Sequence, residues 1–85
     1  MQLLLDWLAA LDGDLPSLTG IADAIGAPSA YVVWSTLDRM RAAGVIAWRS
    51  GTRSENRGHQ AIRLVATGKT LRTAGCPFDP PGDRA

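Results

Sequence analysis

The stretch SLTGIADAIGAPSAYVVWSTLDRMRAAGVI, residues 17–46, decides the fold of this chain. Apolar side chains recur three and four residues apart in two successive runs, which is the spacing of an amphipathic helix. Ser17 precedes the first run and Gly26 follows it, and these residue types favour the start and the end of a helix. The sequence therefore predicts a helix at Leu18–Ile25, a tight turn, and a longer helix at 28–43.

The longer helix is predicted to have a buried side and an exposed side. Proline is favoured in the first turn of a helix, so Pro28 and Ser29 are expected to begin it. Side chains placed about 100° apart around the helix axis fall into two groups. The core face holds Ala30, Val33, Leu37 and Met40. The outer face holds Tyr31, Ser35 and Asp38, with Val32 and Arg39 beside them and Trp34 and Arg41 on the flank.

An apolar helix is predicted to precede this pair, at residues 2–11. Its stripe at helical spacing consists of Leu4, Trp7, Leu8 and Leu11. Gly13 follows, and glycine readily takes the left-handed conformation that ends a helix. Leu5 falls outside the centre of the stripe, so residues 2–11 are a candidate surface for a homodimer.

Two strands are predicted after the helices, at residues 45–50 and 60–66. Apolar and more polar residues alternate in both, which is the period of a half-buried antiparallel pair. Residues 67–74 are expected to form one or two helical turns, with Leu71 packing inward. The remaining residues, 75–85, are rich in proline and are predicted to be an irregular tail in which Phe78 docks on the body. The folded domain is then residues 1–74.

Charge is distributed unevenly along the chain. Residues 1–38 contain five aspartates and no lysine or arginine, whereas residues 39–85 contain all nine basic residues and three acidic ones. The net charge of +1 hides this layout. A basic half of this kind is typical of a protein that contacts nucleic acid.

The bulk properties indicate one small intracellular domain. Its 85 residues include one cysteine, which cannot form an internal disulfide and suits a reducing compartment. The apolar N-terminus lacks the basic start of a signal peptide and is too short to span a bilayer. We therefore expect a cytoplasmic, nucleoid-associated protein with no contact to a membrane.

The predicted order of elements is a helix, a turn, a longer helix and a hairpin. This order predicts an α+β fold that is mainly α. The expected architecture is a winged helix-turn-helix, with a three-helix core and a two- to three-stranded antiparallel wing. Such a motif places its second helix in the major groove of duplex DNA. The expected contacts of that helix are Ser29, Tyr31, Val32, Ser35 and Arg39. The expected contacts of the wing, loop 49–60, are Arg49, Arg53, Arg57 and His59.

The outer helix face also fits a second interpretation. It contains no Arg, Lys, Asn or Gln before Arg39, and these are the side chains that read bases most strongly. Asp38 on the same side would repel phosphate. The alternative function is a winged-helix module that binds another protein through Tyr31, Val32 and Trp34, and the most neutral interpretation is an ordinary solvated surface.

The sequence argues against an enzyme. His59 and Cys76 have no partner at the spacing of a catalytic triad or a metal site. The segment TGKT at 67–70 resembles a phosphate-binding loop, but Arg63 occupies the position of its first glycine, and a helix N-terminus is the simpler interpretation. We expect no catalytic residue, metal, cofactor or small-molecule ligand.

The helix pair, together with HQAIRLVATG at 59–68, resembles the DNA-binding domains of LexA-type repressors and MarR-type regulators. The resemblance covers about Leu15 to Gly68. It implies that the helix at Ser29–Ala42 enters the major groove and that the loop at Ser50–His59 touches the backbone or the minor groove. It further implies base contacts from Ser29, Tyr31, Val32 and Ser35 and wing contacts from Arg53 and Arg57. The chain departs from these families in lacking charged or amide readers on that helix.

Overall fold

The computed structural model describes residues 2–51 and 58–81. Its elements are α1 (Gln2–Ala10), α2 (Leu18–Ile25), α3 (Ala30–Ala42), β1 (Ile46–Ser50), β2 (Gln60–Leu64) and β3 (Thr70–Arg72). The strands form one antiparallel sheet in the order β1-β2-β3. The described chain is thus a small α+β fold of three helices and a three-stranded sheet; the α+β class and the three helices are as predicted. None of the helices in these two ranges is long and apolar enough to cross a membrane.

Side-chain and glycine caps fix the ends of α2 and the start of α3. The Ser17 hydroxyl oxygen accepts from the Gly20 amide at 3.2 Å, and Gly26 adopts a left-handed φ of 74°. Helix α2 therefore has the predicted bounds. Helix α3 begins two residues later than predicted, because Ser29 is its extended N-cap and accepts from the Val32 amide at 3.3 Å. The α3 helix also ends at Ala42 rather than at residue 43.

The core lies between the helices and one face of the sheet. Three of the four predicted core residues of α3, Val33, Leu37 and Met40, are fully buried. Ala30, the fourth, is half-buried at the first turn. The other large, fully buried side chains are Leu4, Leu8, Ile21 and Ile62. Trp7 packs against this core while remaining half-buried.

The strand register separates the two faces of the sheet. Trp48 pairs with Ile62, and Ile62 pairs with Leu71, so one cross-strand row of buried side chains faces the helices. Arg49, Ala61 and Arg72 form the neighbouring row. Successive side chains of a strand point to opposite faces, so this row lies on the outer face. Both predicted strands exist, with bounds shorter than 45–50 and 60–66.

The predicted helical turns at 67–74 are wrong, because this segment contains β3. A turn brings the chain back, with the Gly68 amide donating to the Leu64 carbonyl at 2.7 Å and Gly68 at a φ of 78°. Three residues are too few to display a strand period in sequence, and pairing with β2 supplies their backbone hydrogen bonds. TGKT is accordingly a turn entering a strand, not a helix N-terminus. Leu71 is buried as predicted.

Candidate nucleic-acid interface

Among the predicted DNA-contact residues, the most exposed apolar side chains lie on the outer face of α3. Tyr31 is 71% exposed and Val32 38% exposed, whereas the neighbouring Val33 is fully buried. Ser35, one turn further on, is half-buried. The Ser29 hydroxyl already accepts from the Val32 amide, which leaves its hydrogen able to donate to an external acceptor. The N-terminal half of α3 and its cap therefore offer the apolar surfaces of Tyr31 and Val32 and three hydroxyls, those of Ser29, Tyr31 and Ser35.

An aromatic column connects this face to the core. The rings of Tyr31 and Trp34 stack with centroids 6.2 Å apart and planes 18° apart. Trp34 in turn meets Trp48 edge-on, with centroids 5.9 Å apart. Because Trp48 is buried and Trp34 is 40% exposed, the column holds the Tyr31 ring against a rigid support. Trp34 is absent from the predicted DNA contacts, although its spacing of three residues from Tyr31 signalled the pairing.

The charges of α3 are mostly matched within the helix. Asp38 forms an ion pair with Arg41, so its carboxylate is less repulsive to phosphate than the sequence suggests. The Arg41 guanidinium also lies over the Trp48 ring, 5.0 Å from its centroid. Arg39 is exposed and makes no hydrogen bond or ion pair within the described residues. Arg39 is thus the cation that α3 can offer to a partner without breaking a contact.

The structure places two of the predicted wing residues, and both contact the protein body. The guanidinium of Arg49 lies 4.4 Å from the centroid of the Phe78 ring. His59 is half-buried, with its Nδ1 atom 3.3 Å from the Thr73 hydroxyl oxygen. Arg53 and Arg57 lie outside the described residues. The hairpin continues past β1 and β2, because the Gly51 amide donates to the His59 carbonyl at 2.9 Å.

The predicted contact residues do not all face the same way. Trp48 points to the α3 side of the sheet, where it touches Trp34. Arg49, the next residue of β1, points to the outer face, where it meets Phe78. Arg49 and Tyr31 therefore lie on opposite sides of β1, a separation that follows from strand alternation.

Away from these faces, the described part of the chain shows an apolar groove and no metal-binding cluster. Residues 2–51 and 58–81 contain no cluster of His, Cys, Asp or Glu suited to a metal ion. A groove of about 370 Å³ lies beside α1 and has an apolar lining. It is lined by Leu5, Asp6, Ala9, Gly44, Val45, Leu64, Val65, Ala66 and Thr67.

The chain matches no protein-family model, no curated protein and no solved structure.

Proposed function

We propose that this protein binds duplex DNA as a small transcriptional regulator, with the N-terminal half of α3 in the major groove. The observation that carries this proposal is the capped α2–turn–α3 unit, which buries Val33 and Leu37 and leaves Tyr31 and Val32 exposed beside the start of α3. A second helix presented by its N-terminal residues is the form in which such a motif reads DNA.

The chemistry of the face sets what it can read. Val32 suits a thymine methyl group, and the hydroxyls of Ser29, Tyr31 and Ser35 suit base edges or phosphates. Arg39, which has no hydrogen bond or ion pair among the described residues, can neutralise a phosphate. Because no side chain of α3 before Arg39 is a bidentate base reader, sequence preference rests on apolar fit and on DNA shape.

Two copies would double the contact area, and we propose that they pair through α1. Leu3 on α1 is 64% exposed, and Val65, which lines the apolar groove beside α1, is 52% exposed. A two-fold dimer requires an inverted-repeat site with half-sites about 10 base pairs apart, or a multiple of that. A monomer on a non-repeated site, measured by sedimentation with and without DNA, would disprove the pairing.

A protein-binding module is the second candidate, and the aromatic column favours it. Stacked Tyr31 and Trp34 beside Val32 form the kind of rigid aromatic patch that anchors protein interfaces. Among the described residues, this face holds only one cation without an ion pair, Arg39, so most of its surface is aromatic or apolar. If the protein is such a module, the same face of α3 would bind an apolar groove of another protein.

Binding to a labelled duplex at rising salt separates the two functions. The DNA-binding proposal predicts affinity that falls linearly with salt on logarithmic axes. A selection of bound fragments from random sequence then supplies a preferred site. Tyr31→Ala should flatten the preference for that site, whereas Asp12→Ala, which shortens an exposed side chain outside both proposed interfaces, should leave it intact. Absence of duplex binding at low salt would disprove the proposal in favour of a protein partner.

A further inference from the structure

Three arginines share the outer face of the sheet. Arg49 and Arg72 flank Ala61 in one cross-strand row, on β1 and β3. Arg63 lies two residues along β2 from Ala61 and therefore on the same side. We call Arg49, Arg63 and Arg72 the arginine face. It lies on the opposite side of the sheet from the aromatic column of α3.

The chain's own C-terminal segment covers the arginine face. The ring of Phe78 lies under the Arg49 guanidinium, and Asp79 forms an ion pair with Arg72. Arg63 donates to the carbonyl oxygen of Pro81 at 3.4 Å. Each arginine of the face thus meets an aromatic ring, a carboxylate or a carbonyl from residues 78–81. The cover also explains why Ala61, on the outer side of β2, is fully buried.

The contacts of this cover differ in strength. Phe78 is only 9% exposed and Pro80 is buried, so apolar burial holds the segment in place. The Asp79–Arg72 pair is open to water, with side chains 63% and 45% exposed. Exposed pairs of this kind are weak and are screened by salt. A polyanion that reaches the arginines can therefore compete first with Asp79.

We propose that the arginine face is a phosphate-binding surface and that residues 78–81 are a strap displaced from it by the nucleic-acid backbone. Guanidinium groups bind both carboxylates and phosphates, so a phosphate can replace the Asp79 carboxylate that contacts Arg72 through one nitrogen. This inference rests on the proposed DNA binding and extends it to a second side of the molecule.

Removing the Asp79 charge tests the strap without disturbing its buried residues. Asp79→Asn should raise affinity for a labelled duplex by up to about 5-fold, the upper range for an exposed pair. The slope of log affinity against log salt should stay the same, because the wild-type complex, with its strap displaced, neutralises the same phosphates. Asp12→Asn is the matched control, since it removes the same charge from an exposed turn.

The double variant Phe78→Ala/Asp79→Asn should release the whole strap. Affinity should rise further than in Asp79→Asn, because duplex no longer has to displace the Phe78 ring, and the salt slope should again match wild type. Circular dichroism would establish that the double variant folds. If it does not, Asp79→Asn alone decides the question, because Asp79 is exposed.

Cys76 provides a second readout that does not depend on affinity. It is the only cysteine in the chain, it is half-buried, and its thiol donates to the Phe78 carbonyl at 3.5 Å. Displacement of the strap should expose it, so saturating duplex should accelerate its labelling by a neutral maleimide. Asp79→Asn should accelerate labelling even without DNA, and Asp12→Asn should not.

The outcomes separate the strap from the proposed function. Duplex binding that is equal in Asp79→Asn and Asp12→Asn, or a labelling rate that saturating duplex leaves unchanged, overturns the strap and leaves DNA binding standing. Failure of the wild type and of every tail variant to bind duplex at low salt overturns both.

Discussion

The ammonium group of Lys69 donates to the Leu11 carbonyl oxygen at 2.7 Å, joining the β2–β3 turn to the end of α1. The same nitrogen donates to the Ala9 carbonyl oxygen, also at 2.7 Å. The last carbonyls of a helix lack partners within the helix and bear partial negative charge. Lys69, the only lysine in the chain, therefore caps α1 from a position 58 residues away in sequence.

Replacing Lys69 should destabilise the protein. Lys69→Met keeps an apolar stem of similar length but removes both charge-assisted hydrogen bonds, so we expect a loss of about 1–3 kcal/mol in the free energy of unfolding. Urea denaturation measures it. Arg39→Met, which removes an exposed cation without a partner among the described residues, should change stability by less than about 0.5 kcal/mol. Similar values for the two variants would show that the cap contributes nothing.

Leu37 is the central core residue of α3. It is fully buried with Val33 and Met40, so Leu37→Ala should destabilise the fold by about 2–5 kcal/mol. In a domain of this size such a loss is a large fraction of the total stability. Chemical denaturation of the variant beside wild type measures it, and a loss under about 1 kcal/mol would contradict the core assignment.

Gly20 is required by its contact with Pro16, not by its backbone conformation. A Cβ atom at Gly20 would lie 2.9 Å from the Pro16 Cβ, which belongs to a rigid ring. Gly20→Ala should therefore destabilise the protein, although alanine favours a helix by about 1 kcal/mol over glycine. In a Pro16→Gly background the clash disappears, and Gly20→Ala should stabilise. A thermal unfolding cycle of the four proteins tests this, and stabilisation in the wild-type background would exclude the clash.

The helices could be predicted from sequence because their signals are local. Ser17 and Gly26 mark the bounds of α2 through hydrogen bonds that span three or four residues. The exposed face of α3 follows from helical periodicity in the same way. Both depend on neighbours close in the chain, so no tertiary information is needed.

The sheet and its surroundings were harder to predict because their contacts are distant in sequence. Strand β3 owes its structure to pairing with β2, which overrides the turn-like composition of residues 67–74. Lys69 caps α1, and the Phe78 ring contacts the Arg49 guanidinium, but neither contact produces a periodic pattern in the sequence. The alternation of side chains along β1 puts Arg49 and Trp48 on opposite faces of the sheet. It could not show that residues 78–81 cover the outer face.

Arg53 and Arg57 remain a sequence prediction, since they lie outside the described residues. If both bind phosphates, Arg53→Ala/Arg57→Ala should weaken duplex binding at every sequence and reduce the salt slope by about 2, because each contact releases about 0.9 counterions. Binding isotherms at several salt concentrations measure the slope. An unchanged slope would remove both residues from the interface.

Trp48 and Gln60 form a buried hydrogen bond, so substitutions of the two residues should have non-additive effects on stability. The indole Nε1 of Trp48 donates to Gln60 Oε1 at 3.0 Å, and both side chains are at most 3% exposed. Trp48→Phe would leave that carbonyl oxygen without its donor at a cost of about 1–3 kcal/mol, beyond the cost of the smaller ring. Gln60→Met would likewise leave the indole N–H unpaired. The double variant removes both polar groups, so its destabilisation in urea should be smaller than the sum of the two single variants. Strict additivity would mean that the bond does not contribute and that Trp48 is held by its packing contacts, including those with Trp34 and Arg41.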